Sequence, residues 1–184
     1  TVSWILLRGV CTTMSKRELK NYLKDLTKPQ LEEQIIDLYE RFKQVKEYYD
    51  FAFNPNENEL VEQCRFQISK EYFPLNGRKA KMRRSVAQKW IKKLILLGAE
   101  PTLLADIMFY NLEIALTFSG EHLIRQESFY TSMFKSFDEA LRYTSEKGIL
   151  QEFKGRIEKI ANDTWEQQWP NRNAFEDMTD MYLQ

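Results

Sequence analysis

The stretch Pro101–Gly120, PTLLADIMFYNLEIALTFSG, is apolar nearly all round when wound at the helical period. Leu103, Leu104, Ile107, Met108, Phe109, Leu112, Ile114, Ala115, Leu116 and Phe118 cover most of the cylinder, where a surface helix would keep one solvated face. Opened by Pro101 and closed by Gly120, the segment predicts a central buried helix. A helix of that kind needs others around it.

The flanking sequence supplies them. On the N-terminal side, Ser85 with Gln88 reads as a capping box, followed by an inner face of Val86, Trp90, Leu94 and Leu97 and a stop at Gly98. On the C-terminal side, Phe129, Met133, Phe134, Phe137, Ala140 and Leu141 mark one helix up to Gly148. Leu150, Phe153, Ile157, Ile160 and Ala161 mark another towards Pro170. Asn173 with Glu176 is expected to cap a short last helix bearing Phe175, Met178 and Tyr182.

The chain before this region repeats the pattern. Ser15 with Glu18 is a capping box ahead of Leu19, Tyr22, Leu23 and Leu26, and Thr27 with Gln30 and Pro29 starts a second helix after a tight junction. Leu31, Ile35, Leu38, Phe42, Val45 and Tyr49 alternate spacings of four and three, so one long helix is expected up to Asn54-Pro55-Asn56. Leu60, Cys64, Ile68 and Tyr72 then form a third, ending before Pro74 and Gly77. No stretch alternates as a strand does. The fold class expected is all-α, with seven to eight helices in successive antiparallel hairpins, forming an irregular helical array or an orthogonal bundle.

Composition agrees with one domain over residues 14–184, with residues 1–13 an N-terminal extension or arm ahead of the start-like Met14-Ser15-Lys16. With 43% hydrophobic residues, 184 residues can bury a core without staples. Cys11 and Cys64 make neither a disulfide framework nor a cysteine zinc motif, so a reducing, cytoplasmic setting is expected. The apolar patch Trp4–Leu7 is shorter than the roughly 7–15 residues of a signal-peptide core. No uninterrupted apolar run approaches the ~20 residues of a membrane span, and no membrane association is expected.

Net charge is zero but unevenly spread. Residues 72–99 carry eight cations and no acid, whereas residues 100–184 carry fifteen acids against eight cations. Arg78, Lys79, Lys81, Arg83 and Arg84 precede the helix start at Ser85, and Lys89, Lys92 and Lys93 continue on that helix. Cations beside a helix N-terminus suit a phosphate, a nucleic-acid backbone or an acidic partner. The favoured reading is a solvated basic loop neutralised by the acidic C-terminal half, since overall neutrality argues against a dedicated nucleic-acid packaging protein.

Other candidates are weighed the same way. Asp106, Tyr110, Glu113 and Thr117 form a polar stripe on the apolar helix, whose two carboxylates could serve a metal or acid–base role. An inter-helix or solvent-facing polar edge is the favoured reading. His122 is the only histidine, a poor basis for catalysis. Lys16, Arg17, Lys20, Lys24 and Lys28 could form the basic side of a DNA-binding helix pair, but the next helix is too long and acidic for groove insertion. Trp165, Trp169, Phe175, Met178, Met181 and Tyr182 read as a satellite core sooner than a partner patch.

MSKRELKNYLKDLTKPQLEEQIIDLYERFKQVKEYYDFAFNPN, Met14 to Asn56, resembles the opening of a family of small bacterial helical proteins classed as a domain of unknown function. LLADIMFYNLEIALTF at Leu103–Phe118 and GILQEFKGRIEKIANDT at Gly148–Thr164 fit it more loosely. The resemblance covers most of the chain after residue 13 and implies a bacterial, cytoplasmic, helical protein; it carries over no functional residue.

Three function classes follow. A non-enzymatic scaffold or adaptor that binds another protein leads, because amphipathic helices are abundant and no chemistry is assembled. A nucleic-acid or phosphate-binding module on residues 78–93 is second, and a carboxylate-dependent enzyme third. No phosphate-binding glycine loop, nucleophile elbow or metal-ligand cluster is present in the sequence, so no cofactor or metal is expected.

Overall fold

The computed structural model describes residues 14–54, 56–75 and 77–183. The expected arm at residues 1–13, with Cys11, and the stop at Pro55 lie outside them. Among the described residues the chain is all-α: α1 Lys16–Lys24, α2 Lys28–Arg41, α3 Lys43–Phe53, α4 Glu57–Tyr72, α5 Arg84–Leu97, α6 Pro101–Glu121, α7 Glu127–Glu146, a 3-10 turn at Leu150–Phe153, α8 Lys154–Glu166 and α9 Arg172–Leu183. Contacts group the chain into two compact units, one ending at Tyr49 and one beginning at Asp50.

In the first unit the start signals operate locally. Ser15 Oγ accepts from the Glu18 N–H at 3.3 Å and the Glu18 carboxylate accepts from the Ser15 N–H at 2.7 Å, closing the box that starts α1. Gln30 Oε1 accepts from the Thr27 N–H at 2.9 Å at the start of α2. Gln34 Nε2 donates to the Tyr22 hydroxyl at 2.8 Å, tying α1 to α2.

The single long helix expected through residue 49 is instead broken at Phe42, which raises the helix count among the described residues to nine. Phe42 is extended, with φ −114° and ψ 112°. Its N–H still donates to Leu38 O at 2.9 Å, while its own carbonyl accepts from Val45 and Lys46 and so begins α3. The physical reason is weak anchorage. An aromatic loses side-chain freedom inside a helix, and no residue of α2 or α3 is buried, so core burial does not enforce one straight rod. The bend lets Tyr39 and Tyr49 meet edge-on with ring centroids 6.3 Å apart. On a straight helix their positions would be about 15 Å apart.

The second unit is organised by α6, which contacts α4, α5, α7 and α8, while α9 packs on α7 and α8. Leu104, Ala105, Ile107, Phe109, Leu112 and Ala115 of α6 are all at most 2% exposed, as its all-round apolar pattern requires. By length and composition α6 alone among the described helices could cross a bilayer, but 56% of that window is buried against the other helices. It is the core helix of this unit. The stripes of α4 (Cys64, Ile68, Tyr72) and α7 (Phe129, Met133, Phe137, Ala140, Leu141) face the same core.

Two local readings are corrected. α5 starts two residues early, with Arg83 as N-cap, and has no capping box at Ser85, because the Gln88 side chain donates to Glu139 at 2.7 Å. Its buried face is Ala87, Ile91, Leu94 and Leu97, with Val86 and Trp90 only half-buried. α9 begins at Arg172, which puts Asn173 inside the first turn. At the C-terminus Trp169 and Phe175 join the main core, edge-on at 5.7 Å, while Trp165 and Met181 stay exposed.

Candidate functional site: a carboxylate clamp and a cationic cavity

The polar stripe of α6 is an inter-helix clamp. Asp106 Oδ2 accepts from Arg65 Nη2 of α4 at 2.6 Å, and Oδ1 accepts from Arg156 Nη1 of α8 at 2.7 Å. Both oxygens of Glu113 are held by Arg156, Oε1 from Nε at 2.6 Å and Oε2 from Nη2 at 2.8 Å. Tyr110 adds a 2.5 Å hydrogen bond to Ser69 of α4, and Thr117 caps back to the Glu113 carbonyl at 2.9 Å. The Arg156 guanidinium also lies over Phe109 and Phe153, at 5.6 and 5.8 Å from the ring centroids. All four carboxylate oxygens are thus engaged by guanidinium groups, which leaves no lone carboxylate aimed at a substrate. Arg65 and Arg156, which complete the clamp, carry no sequence signal of their own; they lie 41 and 50 residues from Asp106.

The basic segment divides into two groups. Arg83 forms a bidentate pair with Glu71, Nε to Oε2 and Nη2 to Oε1 both at 2.8 Å, and this holds the Glu71 carboxyl below its ordinary value. Arg84 donates to Glu139 at 2.5 Å and to Ser136 at 2.9 Å, both on α7. These two are neutralised within the chain, although Glu71 belongs to α4 and not to the acidic C-terminal half. Lys93 lies over the Trp90 ring at 5.3 Å. Arg78, Lys79, Lys81, Lys89 and Lys92 are exposed and form no ion pair among the described residues. The N-terminal cations Lys16, Arg17, Lys20, Lys24 and Lys28 are also exposed.

Arg78 and Lys79 converge with two residues that sequence reasoning did not join to them, His122 and Arg125, around a cavity of about 680 Å³. Its apolar wall includes Phe73, Ala80, Met82, Phe118 and Ile124, and no carboxylate among the described residues lines it. The other cations of the segment lie elsewhere. His122 stacks on Phe118 at 4.3 Å with the rings 13° apart, and its Nδ1 lies 3.1 Å from the Phe118 carbonyl. Because a carbonyl only accepts, Nδ1 is the donor there, leaving Nε2 for solvent or a ligand. Among the described residues no three His, Cys, Asp or Glu side chains come together as a ligand cluster.

The model of a family of unknown function, DUF6155, matches residues 14–183. The chain belongs to this family. The match covers both units, α1–α3 as well as the α6-centred core. No curated protein and no solved structure matches the chain.

Proposed function

We propose that this DUF6155 protein is a non-enzymatic binding module whose N-terminal helices dock another polypeptide. One observation carries the reading: α1 and α2 have regular apolar stripes, yet neither helix has a buried residue. Leu19, Tyr22, Ile35, Leu38 and Phe42 are each 43–50% exposed. Helices of this length draw most of their stability from burying an apolar face. A stripe left open is the form of surface that helix-in-groove recognition uses. Over residues 14–49 eight cations meet seven acids, so the stripe recognises apolar surface more than charge.

Binding without catalysis is supported by the clamp, whose carboxylates are taken up in holding α4, α6 and α8 together. A cytoplasmic location belongs to the same proposal, supported by the free thiol of Cys64, which burial pushes up to about 12 and so leaves unreactive.

A photo-crosslinking residue at Ile36, beside the stripe and 58% exposed, tests the proposal in the native host. The expected result is one discrete adduct with a second polypeptide, lost in the Ile35→Glu/Leu38→Glu variant while the helical circular dichroism signal is kept. Absence of an adduct, or one that survives the double variant, overturns it.

A further inference from the structure

The cavity beside the basic segment has features of a built site that the docking surface does not explain. Arg78 and Lys79 from the α4–α5 connection and Arg125 from the α6–α7 connection border it with no ion pair and no lining carboxylate among the described residues. In a chain of zero net charge, a cavity lined only by positive charge raises the local concentration of anions.

Both connections are pinned close to those cations. Lys81 and Met82 N–H groups donate to the Glu71 carbonyl at 2.9 and 3.0 Å, and the Arg83–Glu71 fork ties the same loop to the end of α4. Met82 is held at φ +50°, a conformation that a non-glycine residue keeps only where its surroundings enforce it. Across the cavity, the Tyr130 hydroxyl donates to the Ile124 carbonyl at 3.0 Å and fixes the second connection. The backbone is therefore held at residues 81–83 and at Ile124, beside the cations, which lowers the ordering cost of binding there.

The ring content sets the ligand's body. Phe73 meets Phe118 edge-on at 5.6 Å, and the exposed His122 lies flat on Phe118. One face of the imidazole is covered, and the other is available to a second planar ring. A volume of about 680 Å³ is in the range of small-molecule sites. We propose that the cavity binds a small phosphate ester with a planar body, of the mononucleotide type. The phosphate is taken by Arg78, Lys79 and Arg125, and the planar body by His122 and Phe73. This site is independent of the stripe on α1 and α2.

Calorimetric titration of the full chain with adenosine 5′-monophosphate tests this, with adenosine and inorganic phosphate as the two halves. Saturable binding of the nucleotide is expected, with each half bound at least about tenfold more weakly, a loss of one charge-assisted contact set or one stacking contact. Arg78→Gln with Arg125→Gln should weaken the nucleotide at least about tenfold. His122→Leu should narrow the gap between nucleotide and phosphate, and Lys92→Gln, outside the cavity, should change nothing. The proposal is overturned if the nucleotide shows no saturable binding, if inorganic phosphate matches it, or if the double variant binds as well as wild type. Tighter binding of single-stranded RNA that also depends on Lys92 would overturn it in favour of a polymer track. The Ile35→Glu/Leu38→Glu variant separates the two proposals, since it should bind the nucleotide normally.

Discussion

Arg156 holds Glu113 with two parallel hydrogen bonds, Nε to Oε1 at 2.6 Å and Nη2 to Oε2 at 2.8 Å, across the contact of α8 with α6. Burial opposes the guanidinium charge, but the bonds and charges of Glu113 and Asp106 outweigh it and raise the Arg156 pKa above its ordinary value. The fork fixes the register of α8 against α6 where apolar contacts alone would allow sliding.

Arg156→Met should therefore destabilise the protein by on the order of 2 kcal/mol, because Glu113 loses its cation while remaining partly buried. Arg156→Lys should recover only part of this, since an ammonium cannot reproduce the planar fork. Urea denaturation midpoints of the two variants and wild type measure the order; equal midpoints for all three would remove the clamp from the account.

Glu71 gives a pH-dependent test. Its folded pKa is lowered, chiefly by the hydrogen bonds from Arg83, so its contribution is present in full above the ordinary value of 4.5. It is lost as pH falls through the lower folded value. Glu71→Gln should melt below wild type at pH 7, and the gap should close on acidification. A gap that is constant with pH would mean that the carboxylate charge is irrelevant.

The basic segment should respond unevenly to charge removal. Arg84→Gln, which breaks the bonds to Glu139 and Ser136, should cost about 1 kcal/mol, whereas Lys89→Gln and Lys92→Gln should stay within about 0.5 kcal/mol of wild type. Single-variant thermal melts at fixed salt decide it.

Leu112 and Leu38 are both leucines on apolar helix faces but are 1% and 44% exposed. Leu112→Ala should cost about 2–5 kcal/mol through a cavity in the core, and Leu38→Ala within about 0.5 kcal/mol in the isolated protein. A large loss at Leu38 would place the α2 stripe in a core and remove the support for docking.

The sequence by itself determined the all-helical class, the Ser15 start of α1, the Gly98 stop of α5 and the burial of α6. Each depends on residues a few positions apart: a hydroxyl and a carboxylate three apart, a glycine at φ +71°, apolar residues on every face of one cylinder. The break at Phe42 was hidden because an unbroken apolar period says nothing of whether packing will keep the rod straight. The buried face of α5 is not legible locally, since Val86 and Ala87 both fit a 3.6-residue period and only packing against α4 and α6 selects between them. Tertiary structure alone decided the geometry of the clamp and of the cavity. The partners of Asp106 and Glu113 lie 41 to 50 residues away, and the cavity joins Phe73, Pro74 and residues 78–82 of one loop to residues 122–126 of another. Such meetings depend on how helices pack, a choice among near-equal arrangements that local periodicity does not encode.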